Sequence, residues 1–264
     1  MTAVPAARAP APGAIALMYH ALTGPGSPAA GQDPHYSIAP PALEAHLALL
    51  ASRGAAAVSA RDWLSGSEGT VVTFDDGHLS NYTLAFPRLA TQGARADFFV
   101  NPSRVGSHGF ADWAQLREMA SAGQSIQSHG WDHRYFTELP PAALREDLTR
   151  SRKTIEDHIG QPVTLLAPPG GRSPPGLAAC ARACGYSHVF GSQPGQLRDR
   201  DATLLPRMAV TASLDAATLE GWLQGRGIAR ARLRYATLGL AKRVLGTRGY
   251  EHLRRRLLGQ GDPA

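Results

Sequence analysis

The sequence predicts an α/β fold built on a parallel sheet, either open or closed into a barrel. Short apolar, β-branched runs alternate with amphipathic stretches of helical period, and the links between them are short. There is no internal repeat. Polar residues recur where the apolar runs end, and in parallel α/β folds functional groups gather at the C-terminal ends of strands.

Each predicted element rests on a local pattern. The strands are apolar runs bounded by Gly, Pro or polar residues, and lie in AIALMYH (14–20), AAAVS (55–59), TVVTF (70–74), RADFFVNP (95–102), QSIQSHG (124–130), VTLLAPPGG (163–171) and YSHVFGS (186–192). A short connection through Trp63 joins the second strand to the third. The helices have apolar residues three and four apart and often end at Gly; they lie in 41–54, 81–93 (interrupted at Pro87), 113–123, 141–160 and 174–185.

Length and charge divide the chain into three parts. At 264 residues it can form a single barrel-sized domain, which we place at 14–225, after a disordered Ala- and Pro-rich segment at 1–13. The remainder, 226–264, is predicted to be a basic helical tail, because residues 226–256 hold ten Lys and Arg and one acid. The rest of the chain is slightly acidic, so nucleic acid is not an expected partner.

The basic tail and the lack of a membrane-spanning run indicate where in the cell the protein is located. Arg and Lys alternate with Leu, Val and Tyr in the tail, which predicts a helix that could lie on an anionic membrane surface, or else a solvated or partner-binding helix. No apolar run could span a bilayer and no leader-like segment begins the chain, so we expect a cytoplasmic protein, with peripheral membrane contact through the tail as the alternative.

Cys180 and Cys184 are predicted to be buried free thiols, because helical neighbours four apart rarely reach disulfide geometry.

Two motifs after predicted strands carry the chemistry. Asp75 and Asp76 are adjacent carboxylates that would repel each other without a cation, and His129 and His133 are four apart in a compact loop. Two histidines and one carboxylate form a three-ligand metal site with open positions, suited to holding water. Successive side chains leave a strand on opposite sides and Gly77 lets the backbone turn, so one aspartate can bind the ion while the other acts as a base.

The sequence TFDDG (73–77) followed by SHGWDH (128–133) resembles the polysaccharide deacetylase family of the NodB type, carbohydrate esterase family 4. The resemblance covers about residues 14–195, and LREDLTRSRKTIEDHIGQPV and the Gly-Tyr pair at 185–186 agree with it. It implies a distorted (β/α) barrel of parallel strands with outer helices. It further implies hydrolytic removal of N-acetyl groups from a glycan, with Zn²⁺, or alternatively Co²⁺ or Ni²⁺, as cofactor. A tail bound to a membrane would suit a lipid-linked sugar as the substrate.

The resemblance also assigns roles. Asp75 is expected to be the general base, and Asp76, His129 and His133 the metal ligands. The family commonly has an arginine before the Pro-Pro pair, where this chain has Ala167; Arg172 could replace that arginine or contact substrate. The usual C-terminal Leu-x-His motif is absent as well.

A circularly permuted subset of the family begins with a strand resembling LMYHAL (17–22). His20 stands in that strand, and we expect it to be the acid that protonates the leaving amine.

Further residues are candidates for substrate contact. Backbone N–H groups near Pro169, Gly170 and Gly171 are expected to stabilise the oxyanion, and Arg172 and Trp131 to contact the glycan. Weaker candidates have an ordinary packing or solvent-facing alternative: Tyr135, Phe110 and Trp113 for stacking on sugars, His78 for lining the pocket, and Asp132 for supporting the histidines.

Two other functions compete with the deacetylase hypothesis. One is a glycan-binding homologue that lost activity, suggested by Ala167 and the displaced acid. The other is a non-haem iron oxygenase, which also uses two histidines and one carboxylate. The oxygenase fits less well, because its fold is commonly all-β whereas this chain alternates strand and helix.

Overall fold

The computed structural model describes residues 14–237. Within them lie the strands β1 (Ala16–Tyr19), β2 (Ala57–Val58), β3 (Thr70–Phe74), β4 (Asp97–Val100), β5 (Ser125–Ser128), β6 (Leu165–Leu166), β7 (His188–Phe190), β8 (Leu204–Leu205) and β9 (Met208–Ala209). The helices are α1 (Pro40–Ser52), α2 (Ala60–Leu64), α3 (Phe86–Thr91), α4 (Trp113–Ser121), α5 (Pro141–Ile159), α6 (Leu177–Ala183) and α7 (Ala216–Leu223).

All strand pairs among these elements are parallel, in the order β8-β7-β6-β5-β4-β3-β1-β9, with β2 beside β3. The two ends of this order, β8 and β9, are joined only by Pro206 and Arg207. The sheet therefore curves into a barrel-like form with the helices outside. The predicted fold class, a parallel (β/α) barrel with outer helices, is confirmed.

The core has two parts because alternate side chains of each strand point to opposite faces. Between sheet and helices lies the larger cluster, to which β3 contributes Val72 and Phe74. The predicted apolar stripe of α1 joins this cluster through Leu43, Leu47 and Leu50. Inside the barrel lies a smaller cluster that includes Val71 of β3. The polar residues Thr73 and Asp75, in register with Val71, follow it along the same face.

Several boundaries differ from the sequence prediction. The connection through Trp63 is the helix α2, capped by the Ser59 side chain. The strand predicted at 163–171 has only two residues, and Pro169–Gly171 forms a 3₁₀ turn. Pro87 stands in the first turn of α3 rather than interrupting a helix, because a π-helix, Asn81–Ala85, precedes it. Cys180 and Cys184 are free as predicted, but both are half-buried.

The predicted disorder at 1–13 and most of the predicted basic tail lie outside the described residues. Residues 228–237 are helical, and Ile228 is buried in the larger core cluster. The boundary placed at 225 stays a prediction. No helix within 14–237 is long and apolar enough to cross a membrane.

Candidate metal and catalytic site

The two adjacent aspartates separate because the backbone changes conformation between them. Asp76 has φ 75° and Gly77 has φ 71°, whereas β3 is extended up to Phe74. Asp76 and His133 are the only non-glycine residues with positive φ in the described part of the chain. Such conformations persist where surrounding structure enforces them, often at functional sites. Here the turn places Asp75 and Asp76 in different surroundings.

Asp76, His129 and His133 converge on one point. Oδ1 of Asp76 lies 3.3 Å from Nε2 of His129 and 3.0 Å from Nε2 of His133. The three potential ligand atoms all lie within 4.8 Å of one another. Oδ1 of Asp76 is buried and makes no hydrogen bond of good geometry among the described residues. Zinc bonds of about 2.0–2.2 Å in tetrahedral geometry hold ligand atoms roughly 3.3–3.6 Å apart, so these residues fit a divalent ion.

The orientation of His129 supports this interpretation. Its Nδ1 lies 2.8 Å from the carbonyl oxygen of Ala167. A carbonyl only accepts, so Nδ1 carries a hydrogen, and Nε2 faces Asp76 and His133, where it can bind an ion when the ring is neutral. Metal-binding histidines commonly have such a second partner, which fixes the ring. Ala167, where the family commonly has arginine, thus contributes through its backbone.

The loop between the two histidines is held by neighbouring elements. The Trp131 N–H donates to Oδ1 of Asp147 at 2.9 Å, and the Ser151 hydroxyl donates to the Gly130 carbonyl at 3.0 Å. The Asn101 amide donates to the His129 carbonyl at 2.5 Å. Asp147, which accepts the Trp131 hydrogen bond, is itself buried, and burial raises the pKa of its carboxyl to about 6. Helix α5 and the end of β4 therefore set the position of the loop.

Asp75 is paired with an arginine. Arg207 is fully buried, and its Nη1 and Nη2 atoms donate to the two Asp75 oxygens at 2.6 and 2.9 Å. Its Nε donates to the Gly191 carbonyl at 3.0 Å, and Nη1 also donates to Thr73 Oγ1 at 3.1 Å. This bidentate geometry is the strongest form of an arginine–carboxylate pair.

Arg207, rather than Arg172, supplies the cation missing at Ala167. The Arg172 guanidinium lies 3.8 Å from the centre of the Tyr135 ring and 3.9 Å from a Glu138 oxygen. Sequence order did not reveal Arg207 because it is 132 residues from Asp75. The sequence feature that could have pointed to Arg207 is its position as the one charged residue in the apolar stretch LLPRMAV.

The charges in the site keep both carboxyls ionised. Burial raises the pKa of Asp75, but Arg207 and the nearby His129 and His20 outweigh it, so the pKa lies below its ordinary value. Burial likewise opposes ionisation of Asp76, yet His129 and His133 hold its pKa well below the ordinary value. Asp75 is therefore available to accept a proton at neutral pH.

His20 lies directly after β1, in the same neighbourhood. It lies close enough to Asp75 and Asp76 to be one of the groups that lower the pKa of both carboxyls. Its ring stacks on Tyr36 with 4.7 Å between centroids, and its buried Nδ1 has no hydrogen-bond partner among the described residues. These features allow the predicted acid role, which stays a prediction.

Several of the residues predicted to contact substrate already have other partners within the protein. Pro169 has no N–H and the Gly171 N–H donates to the Pro168 carbonyl at 2.9 Å, so at most Gly170 can offer an N–H to an oxyanion. One face of the Trp131 ring is covered by the Arg150 guanidinium, 3.6 Å from its centre.

The weaker candidates mostly pack. Trp113 stacks on His158 with 4.2 Å between centroids, where α4 meets α5. Phe110 packs against His78 and Arg104. Asp132 accepts from the Arg134 side chain at 2.7 Å. His78 is buried, so the solvent-facing alternative is wrong, and it binds backbone carbonyls of a neighbouring loop.

Comparison with known proteins finds a family that resembles the middle of this chain. The family model described as polysaccharide deacetylase matches residues 66–189, which contain both motifs. This segment, slightly less than half of the chain, is similar to the polysaccharide deacetylase family. The family resemblance inferred from TFDDG and SHGWDH is confirmed, whereas the placement in a permuted subset stays a prediction.

Individual relatives agree with the family assignment. YxkH of Bacillus subtilis is 26% identical over 217 residues, 79% of this chain and 75% of YxkH. The peptidoglycan-N-acetylglucosamine deacetylase of Bacillus cereus is 29% identical over 129 residues, 48% of this chain and 58% of that enzyme. The solved Streptococcus pyogenes deacetylase PplD has a TM-score of 0.71 at 20% identity, covering 80% of this chain and 97% of PplD, which confirms the fold.

Proposed function

We propose that this protein is a divalent-metal-dependent hydrolase that removes N-acetyl groups from an N-acetylated glycan. The observation that carries the proposal is the convergence of Asp76, His129 and His133 beside an independently held Asp75. The similarity of residues 66–189 to the polysaccharide deacetylase family supports the choice of bond, as does the relative named peptidoglycan-N-acetylglucosamine deacetylase from B. cereus.

Each residue of the site has its own proposed role in amide hydrolysis. A divalent cation held by Asp76, His129 and His133 supplies Lewis acidity, which makes water more acidic and a carbonyl more electrophilic. Asp75, fixed by Arg207, accepts the proton from the attacking water. His20 protonates the departing amine, and the Gly170 N–H stabilises the oxyanion. Acetate and an amino sugar are the products.

Two substitutions test this division. Asp75→Asn should abolish acetate release while retaining the ion, because the ligands are untouched. His129→Ala should lose both, because one of three ligands is removed. We would measure acetate release from N-acetylated oligosaccharides and bound metal after zinc loading, with the exposed His108→Ala as control. An unchanged rate in either site variant would overturn the assignment.

The competing functions are weaker in light of the structure. The impaired-homologue hypothesis drew on Ala167, but Arg207 provides the cation that holds Asp75. The oxygenase hypothesis expects an all-β fold, whereas this sheet is parallel and surrounded by helices. Turnover that depends on oxygen and 2-oxoglutarate would revive the oxygenase.

Finer assignments belong to the same proposal. Zn²⁺ is the proposed ion, since an acid and two imidazoles are ligands that zinc accepts, and Co²⁺ or Ni²⁺ could occupy the same set. A lipid-linked sugar is an alternative substrate to a polymeric glycan. A cytoplasmic location and membrane contact through the basic tail stay predictions, because most of the tail lies outside residues 14–237.

A further inference from the structure

Two buried asparagines lie beside the proposed site. Asn101 comes directly after β4, and Asn81 is the first residue of the π-helix that follows the two aspartates. Their exposed fractions are 1% and 2%, and they are the only two asparagines in the 264-residue sequence. Both therefore follow strands of the sheet, at the edge that carries the site.

Each asparagine donates to the main chain of one site histidine. Nδ2 of Asn101 lies 2.5 Å from the His129 carbonyl oxygen and 3.2 Å from that of Gly130. Nδ2 of Asn81 lies 2.7 Å from the His20 carbonyl oxygen. Carbonyls only accept hydrogen bonds, so the NH₂ group of each amide faces them. Each asparagine thus holds the backbone of a histidine rather than its ring.

The end of β4 holds His129 from both sides. The His129 N–H donates to the Val100 carbonyl at 2.9 Å, while the next residue, Asn101, binds the His129 carbonyl. The ring is oriented separately, by the Ala167 carbonyl. Asn101 therefore helps to fix where the ring is attached, and Ala167 fixes how it is turned.

The segment after β3 holds the chain around His20 in a similar way. Before His20, the Tyr19 carbonyl accepts from the Asp75 N–H at 2.9 Å. After it, the Leu22 N–H donates to Ser80 Oγ at 2.8 Å. With the amide bond to the His20 carbonyl, one segment fixes both the proposed base and the place of the proposed acid.

Stability alone does not account for these two amides. Oδ1 of Asn81 and Oδ1 of Asn101 are buried and have no hydrogen-bond partner among residues 14–237. An unpaired buried polar atom costs stability, whereas an apolar side chain in its place leaves no such atom. The π-helix that begins at Asn81 is also a feature found frequently at functional sites. These observations favour a role for the NH₂ groups in the site itself.

We propose that the two asparagines are positioning residues with separate roles. Asn101 keeps His129 in place as a metal ligand, and Asn81 keeps His20 in place as the acid. The inference rests on the proposed deacetylase function and adds two residues to it. Loss of an outer partner of a metal ligand typically weakens metal binding about 10- to 100-fold. A catalytic group displaced by about 1 Å can lower the rate ~10²-fold.

Zinc affinity tests the role of Asn101. We would measure zinc dissociation constants, by competition with a chelator, for the wild type, Asn101→Leu and Asn81→Leu. Leucine has a similar branched shape but no donor. We expect Asn101→Leu to weaken zinc binding by roughly tenfold or more, and Asn81→Leu to keep the wild-type affinity. Wild-type affinity in Asn101→Leu, or no zinc binding by the wild type, would overturn this role.

The leaving group tests the role of Asn81. With saturating zinc, we would compare kcat for acetate release from the β-1,4-linked pentamer of N-acetylglucosamine with kcat for p-nitrophenyl acetate hydrolysis. Only the amine needs an acid to depart, so Asn81→Leu should lower the pentamer-to-ester ratio by roughly tenfold or more. Asn101→Leu should keep the wild-type ratio. Equal losses on both substrates in Asn81→Leu would overturn its role.

A matched control and a second set of variants complete the design. Gln92→Leu replaces an exposed amide at the end of α3 and should resemble the wild type in both assays. An alanine variant takes the place of any leucine variant of Asn81 or Asn101 that does not fold. Parallel changes of zinc affinity and substrate ratio in both site variants would contradict separate roles.

A readout without turnover distinguishes failure of this inference from failure of the proposed function. If the wild type releases no acetate from the pentamer, the proposed function is wrong, and zinc affinity still decides the role of Asn101. NMR signals of the histidine rings then decide the role of Asn81. The His20 signal should shift in Asn81→Leu and stay in place in Asn101→Leu; an unmoved His20 signal in Asn81→Leu contradicts the role.

Discussion

The carboxylates Asp75 and Asp76 are neighbours in sequence but belong to different interaction networks. Asp75 keeps the direction of β3 and meets Arg207 inside the barrel. Asp76 turns at φ 75° toward His129 and His133. Asp75 therefore has Arg207 as its partner, and Asp76 has the two histidines. These separate partners offset the repulsion expected between adjacent anions.

The Asp75–Arg207 pair should be detectable by a double-mutant cycle. Arg207→Met should destabilise the protein by roughly 3–5 kcal/mol, because it leaves a buried carboxylate unpaired. Adding Asp75→Asn should recover a large part of that loss, because the remaining amide is neutral. Denaturant unfolding of the wild type, both single variants and the double variant measures the coupling. Additive effects of the two substitutions would contradict the pair as described.

The acid role of His20 can be separated from a structural role by the choice of leaving group. An amine needs a proton to depart, whereas nitrophenolate does not. His20→Ala should therefore lower acetate release from an N-acetylated sugar by roughly 10²-fold or more, and hydrolysis of p-nitrophenyl acetate far less. Equal losses on both substrates would indicate that His20 mainly positions Tyr36, on which it stacks.

At the level of secondary-structure elements, His78 connects two segments of the chain. It follows β3 and binds the loop 24–36, which contains Tyr36. The Ser80 N–H donates to Nδ1 of His78 at 3.1 Å, so that nitrogen is the acceptor. Nε2 then carries the hydrogen and lies 3.1 and 3.0 Å from the carbonyl oxygens of Pro28 and Ala30. Burial lowers the pKa of His78, in agreement with a neutral ring.

Removing this anchor should loosen the loop. We expect His78→Leu to speed amide hydrogen exchange in residues 24–36, because two backbone carbonyls lose their donor. The exposed His108→Leu serves as a matched control and should leave that exchange unaltered. Unchanged protection of residues 24–36 in His78→Leu would mean that other contacts hold the loop.

Sequence patterns predicted the elements that have long, regular apolar periods. The α1 stripe and the five residues of β3 are examples, and motifs at the ends of β3 and β5 predicted that Asp76, His129 and His133 lie together. The strands β8 and β9 escaped prediction because each has two residues, too few to establish an alternation. Arg207 escaped because its partner lies 132 residues away, and only tertiary structure brings them together.

At the scale of the whole molecule, Arg207 joins the two ends of the curved sheet. It lies between β8 and β9, and its side chain contacts Asp75 after β3 and the Gly191 carbonyl after β7. The pair that prepares the proposed base therefore also connects distant strands. Stability and catalysis should respond together when it is removed.

The barrel should lose stability as pH rises toward neutrality because of Asp97. Its carboxyl is fully buried and accepts hydrogen bonds from the Ala60 N–H, at 2.5 Å, and from the Ser125 side chain, and burial raises its pKa to about 7. The unfolded carboxyl ionises near pH 4, so between about pH 4 and pH 7 the folded state binds the proton more tightly. Wild-type stability relative to Asp97→Asn should fall across this range, by ~4 kcal/mol at most.

Denaturant unfolding of both proteins at pH 4.5, 6 and 8 measures this trend, with about pH 4 to 7 as the window in which it develops. The Asn side chain keeps an oxygen that can accept from Ala60, so the comparison isolates ionisation. A stability difference that stays constant from acid to neutral pH would show that Asp97 titrates normally in the folded protein.

The proposed function requires that Asp76, His129 and His133 bind one shared divalent ion. Anomalous diffraction from zinc-loaded crystals tests it directly. We predict a single strong peak bonded to Oδ1 of Asp76 and to Nε2 of both histidines, at about 2.0–2.2 Å from each. A zinc peak elsewhere, with these three atoms not coordinated, would contradict the account.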